Sequence, residues 1–102
     1  MNESTIDKYC LDELMRDLVG HDRRPSAYLL YVYLWGRLSG RGTWTDRASL
    51  SALSESTGLS KRSVQQGLQW LERRGLLEVS REKATSVAEI ALRQPWRARR
   101  KG

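Results

Sequence analysis

The sequence predicts a mostly α fold carrying a small β-hairpin, with a further helix added at the N-terminus. Three observations predict it. Between Ser49 and Arg81, two short amphipathic patterns flank Gly58-Leu59-Ser60, the punctuation of a helix-turn-helix. After them, Leu77 and Val79, then Ala88, Ile90 and Leu92, alternate with other residues as the two arms of a hairpin do. Ahead of them lie two apolar stretches with helix start and stop signals.

Taken in order, Ser4 or Thr5 is placed to cap a first helix that runs to about Val19 and ends at Gly20. Ile6, Cys10, Leu14 and Leu18 lie four apart, and Tyr9, Leu11, Met15 and Val19 widen the stripe. That is more apolar surface than a helix at the edge of a small domain needs. Ile6, Tyr9, Cys10, Leu14 and Leu18 are therefore expected to meet a second copy in a homodimer, the alternative being docking on their own domain. The next stretch, Ala27 to Trp35, is apolar at nine consecutive positions. Its composition alone would suit a buried strand. Pro25 at a first helical turn and the Gly40-Arg41-Gly42 turn argue instead for a helix extending through Arg37 and Leu38. Tyr28, Tyr31, Tyr33 and Trp35 then read as core and interface rather than a ligand cage. Thr43-Trp44-Thr45 reads as a short strand, with Asp46 as cap of the following helix.

That helix carries Leu50 and Leu53 and stops at Gly58; Leu59 fills the corner and Ser60 caps the next helix at Lys61 and Arg62. On this second helix Val64, Gly67, Leu68 and Leu71 form one buried stripe, where Gly67 allows a neighbouring backbone to approach closely. Its opposite face carries Arg62, Gln65, Gln66, Gln69 and Arg73, with Lys61 and Ser63 beside them in the first turn. No acidic residue follows Ser60 until Glu72. An α-helix fits the DNA major groove, where Gln pairs with adenine and Arg with guanine, while a helix N-terminus and Ser hydroxyls suit phosphate. Ser60, Lys61, Arg62, Ser63, Gln65, Gln66 and Gln69 are thus the expected contacts to duplex DNA. Gly75 is a C-cap signal. Arg81 to Ser86 contains neither Gly nor Pro, so the hairpin needs a longer loop than a tight primed turn. Arg81 and Lys83 on that loop are the expected second contact, to phosphate or a minor groove.

Charge divides the chain. Its 102 residues carry a net +6. Residues 1–22 hold six acidic and two basic side chains, a balance of −4, which leaves +10 on residues 23–102. A basic body with an acidic N-terminal segment fits a polyanion-binding domain with a separate non-binding face. The tail from Arg93 to Lys101 has five basic residues and no acidic one; it is placed either to follow DNA phosphates or to serve as a solubilising end. Pro95 should end the last strand, and Trp96 could anchor this tail or stack elsewhere.

Other classes lack support. Cys10 is the one cysteine, so no internal disulfide and no zinc site is expected, and a core role follows. His21, the one histidine, lies in a polar stretch, and no nucleophile elbow or phosphate-binding glycine loop occurs. The expectation is a binding protein, not an enzyme, without cofactor or metal. The first twenty residues lack a signal-peptide pattern, and the nine-residue apolar run is too short to span a bilayer, which points to a cytoplasmic, nucleoid-associated protein.

The order helix, helix, short strand, helix, helix, two strands resembles the winged helix-turn-helix family of bacterial DNA-binding proteins, in its MarR-like and related small dimeric branches. The resemblance covers Thr43 to Leu92 and rests on Leu50, Leu53, Gly58, Leu59, Ser60, Val64, Leu68, Leu71, Gly75 and Leu76. It implies that Ser60 to Gln69 enters the major groove, that the Arg81 to Lys83 wing reaches flanking DNA, and that Trp70 packs toward the wing. The short N-terminal region leaves little room for the effector pocket of larger regulators. The expected whole is one domain over 1–102: a dimerisation helix at 1–20, a winged-helix core at 25–92 and a basic tail at 93–102. Its expected function is sequence-specific DNA binding as a small dimeric transcriptional regulator. A plasmid or phage replication or partition protein, or an interaction module for an acidic protein, are the alternatives.

Overall fold

In the computed structural model, which describes residues 5–39, 44–81 and 87–99, helices surround one small antiparallel sheet. The first helix, α1 (8–21), is built largely of π turns, over Cys10–Leu14 and Arg16–His21. In such i→i+5 turns the repeat is wider than 3.6 residues, so side chains spaced by four stay in line. Cys10, Leu14 and Leu18 accordingly form one fully inward row. The helix starts later than a Thr5 cap would set it, at residue 8, with Thr5 in the irregular segment before it; Ser4 lies outside the described residues. It also passes through Gly20 and closes at Asp22, whose N–H donates to the Asp17 carbonyl at 2.8 Å.

The inward row corrects the expected dimer face. Cys10, Leu14 and Leu18 are at most 4 % exposed within their own chain, and Ile6 and Tyr9 are half-buried against the same core, so these side chains are already used in folding the monomer. Burial, followed by the negative charge of Asp7, pushes the Cys10 thiol up to about 12, in keeping with a packing role.

The central element is α2 (Pro25–Leu38), with Pro25 in its first turn and Ala27, Tyr28, Leu30, Tyr31, Leu34, Trp35 and Leu38 buried. A helix so apolar must be covered on most sides. It packs against α1, against the helix-turn-helix and against the sheet. The Gly40 to Gly42 turn lies outside the described residues. Strand β1 (Thr45–Ser49) leaves out Trp44, which the expected Thr43-Trp44-Thr45 strand included, and Thr43 lies outside the described residues. The cap of α3 (Leu50–Thr57) is Ser49 rather than Asp46: the Ser49 Oγ accepts from the Ala52 N–H at 3.1 Å. Asp46 sits within β1 and binds Arg37 instead.

Gly58, at φ 81°, ends α3 in the left-handed region that only glycine enters cheaply. The Ser54 hydroxyl donates to the Leu59 carbonyl at 2.6 Å, and half-buried Leu59 fills the corner. Helix α4 (Lys61–Arg73) follows from its Ser60 cap and buries Val64, Gly67, Leu68 and Leu71. Gly75 (φ 74°) then reverses the chain while the Leu76 N–H reaches the Leu71 carbonyl at 2.9 Å, the 6→1 bond of a Schellman end. Strands β2 (Leu77–Arg81) and β3 (Val87–Leu92) pair antiparallel, with Val79 opposite Ile90. The sheet order is β1-β3-β2, and Ala88, Ile90 and Leu92 turn inward.

Pro95 does more than end β3. It opens a last helix, α5 (Pro95–Arg99), which seats buried Trp96 between Tyr9, stacked at 4.5 Å, and Trp35, stacked at 6.1 Å. The Trp96 indole donates to Asp7, and the Arg97 guanidinium binds both Asp7 carboxylate oxygens at 2.9 Å. Thus the first described turn of the tail is docked on the N-terminal segment, and Arg97 is held there by a forked ion pair.

Gly67 is where α4 comes closest to α2. A Cβ there would lie 2.6 Å from Leu30 Cδ1 and 3.4 Å from Ala27 Cα, and Leu30 is fully buried with little freedom to yield. Gly67→Val is expected to lower stability by about 2–3 kcal/mol in urea denaturation, because overpacking costs more than leaving glycine gains in helix propensity.

Candidate nucleic-acid interface

The 3.6-residue repeat of α4 puts Arg62, Gln66, Gln69 and Arg73 in one line directly opposite the buried stripe, and all four are exposed. Lys61 and Gln65 are exposed on one flank of that line, Ser63 and Trp70 half-buried on the other. At the helix start the Ser60 Oγ accepts from the Ser63 N–H at 3.0 Å and lies 3.1 Å from the Ser63 hydroxyl. The N–H groups of Lys61 and Arg62 have no intrahelical acceptor, which leaves donors and a partial positive charge facing solvent beside two cationic side chains. All seven expected α4 contacts are therefore brought together on one helix and its cap. Their surface combines phosphate-type donors at its start with Arg and Gln, the side chains suited to base edges, along its length.

The expected hairpin contacts are not brought into view in the same way. Arg81 closes β2, with its backbone paired to Ala88, while Lys83 lies outside the described residues.

Trp70 faces the corner between α1 and α2 rather than the hairpin. Its indole N–H donates to Asp22 Oδ2 at 2.8 Å, the Arg24 guanidinium lies 4.7 Å over its ring and that of Arg73 5.6 Å. The reason is its angular position: on α4 it stands beside Gln66 and Arg73, on the flank that runs past residues 22–24. Arg24, Gln66, Gln69, Trp70 and Arg73 together line an open cleft of about 210 Å³. Sequence reasoning missed Arg24. Its one signal was the Arg23-Arg24 pair directly before Pro25, and Arg23 holds a left-handed φ of 57° where the chain turns the corner.

Asp22 ties this corner together. Burial alone would raise its carboxyl, but hydrogen bonds accepted from His21 and Trp70, with the charge of Arg74 at 3.1 Å, outweigh burial and hold it below its ordinary 3.8. A lowered folded-state value means that the ionised group stabilises the fold above that ordinary value, and that this contribution fades as pH falls through the folded value. Asp22→Asn keeps the shape and removes the charge. It should be less stable than wild type in urea at about pH 7, and the gap should close in acid below the ordinary value.

Among the described residues no cluster of three or more His, Cys, Asp or Glu side chains could hold a metal, and no helix is long and apolar enough to cross a membrane. Compared with known proteins, the chain matches no family model, no curated protein and no solved structure.

Proposed function

We propose that this chain is a winged helix-turn-helix protein that binds duplex DNA in a sequence-specific manner, as a homodimer, and regulates transcription. The observation that carries the reading is the outward line Arg62, Gln66, Gln69 and Arg73 on a capped helix whose opposite face is locked into the core. Support for the fold assignment comes from the order of elements, in which β2 and β3 follow α4 directly and β1 pairs with β3 ahead of α3. In this reading α4 lies in the major groove and the segment from Arg81 through Lys83 reaches flanking DNA. The protein acts by binding, with no catalytic residue assigned.

For the homodimer, the surface offered to the second copy is the row that α1 leaves outside. Leu11, Met15 and Val19 are spaced by four and 50 %, 40 % and 38 % exposed. Three such side chains on one turn-to-turn line are more than a monomer needs to show water. Two-fold pairing on this row would set the two readers on a pseudo-palindrome with half-sites one helical turn of DNA apart, about 34 Å.

Selection from a random duplex pool tests the reading. A recovered pseudo-palindrome with half-sites one turn apart is the expected outcome, and a pool that fails to enrich would overturn sequence-specific binding. Tandem direct repeats would favour a replication or partition role over an operator.

A further inference from the structure

We propose that the cleft between α4 and the α1–α2 corner is a phosphate clamp for the DNA backbone, in which Arg24, from outside the helix-turn-helix, and Arg73 grip one phosphodiester at the edge of the groove. The inference rests on the DNA-binding reading above and extends it to a residue outside the reader helix.

Two cations share one aromatic ring here. Arg24 and Arg73 lie 4.7 and 5.6 Å from the Trp70 ring centre, and among the described residues neither is paired with a carboxylate. The carboxylate bonded to that ring, Asp22, is already engaged by the Trp70 N–H, by Arg74 and by His21. Cation–π contact offsets part of the cost of gathering two positive charges at one ring. Each planar guanidinium carries a fork of N–H donors suited to a two-pronged grip on phosphate oxygens. Gln66 and Gln69 line the same cleft with neutral donors. At about 210 Å³ the space falls below the roughly 300–1,000 Å³ of small-molecule and cofactor pockets and suits a single phosphate with its waters. Its position on the exposed line of α4 places that phosphate beside the groove the helix would read.

The test measures affinity for the selected duplex and for a mixed-sequence duplex over a range of salt, for wild type, Arg24→Ala, Arg24→Lys and Arg73→Ala, with thermal melts to verify folding. Arg24→Ala is expected to weaken both duplexes by a similar factor, about tenfold at low salt, and to lower the slope of log K against log salt by about 0.9. Arg24→Lys should retain the slope and recover part of the affinity, since it keeps the charge without the fork. Wild-type affinity and slope in a folded Arg24→Ala, while wild type binds DNA, would overturn the clamp. So would a loss confined to the selected duplex, which would make Arg24 a base reader. If wild type binds neither duplex, the DNA reading itself fails and the clamp with it.

Discussion

Arg62→Ala and Gln66→Ala will each weaken binding to the preferred duplex by about 1–3 kcal/mol, and will weaken mixed-sequence duplex much less. Both side chains stand on the outward line of α4, exposed, one turn apart and opposite the buried Val64 and Leu71. Truncating them removes no core contact, and alanine is a good helix former, so melting temperature should stay within the change produced by about 0.5 kcal/mol. This separation of effects makes the pair informative. A base contact costs affinity at one sequence, whereas a phosphate contact costs it everywhere. Equal losses on both duplexes would reassign Arg62 and Gln66 to the backbone, beside Arg24 and Arg73.

The largest effect on stability will come from Trp35→Ala, at about 3–5 kcal/mol. The indole is 1 % exposed at the centre of the aromatic cluster. Its N–H donates to the Thr5 carbonyl at 2.9 Å, and its ring meets Trp44 at 4.9 Å, Tyr31 at 6.0 Å and Trp96 at 6.1 Å, with Arg97 at 5.3 Å from its centre. Removing it opens a cavity and loosens both ends of the chain, because α5 and the segment before α1 close on this one side chain. In a domain of this length the expected fall in Tm is roughly 15 °C or more. Thermal melts would show it, and in a cold sample the folded fraction should still bind DNA. A Trp35→Ala protein that melts within a few degrees of wild type would mean that the termini are held elsewhere.

The helical elements were legible where a local rule places them. Gly58, Ser60 and Gly75 mark the helix-turn-helix because their roles depend on backbone geometry and adjacent N–H groups, and each sits where that geometry requires. The outward face of α4 could likewise be read from spacing alone. What escaped the sequence depends on residues far apart in it. Asp22 meets Trp70 across 48 positions, and Arg97 meets Asp7 across 90. No periodicity encodes such pairs: the family resemblance turns Trp70 toward the hairpin, and the tail that carries Arg97 stays open between following phosphates and serving as a solubilising end. The α1 stripe was visible, but its inward and outward rows were not separable. Residues four apart drift on a 3.6-residue helix and align in π turns, and the chain does not announce which it forms. The Asp46 cap failed for a nearer reason: β1 runs on through Ser49, whose hydroxyl takes that place.

The claim that α4 presents a DNA-reading surface is tested most directly by titrating the full chain with mixed-sequence duplex at low salt and repeating the titration as salt rises. Saturable binding is predicted, with log K falling linearly against log salt and a slope that reports several neutralised phosphates. Absence of binding at low salt, or binding that salt leaves unchanged, would contradict it.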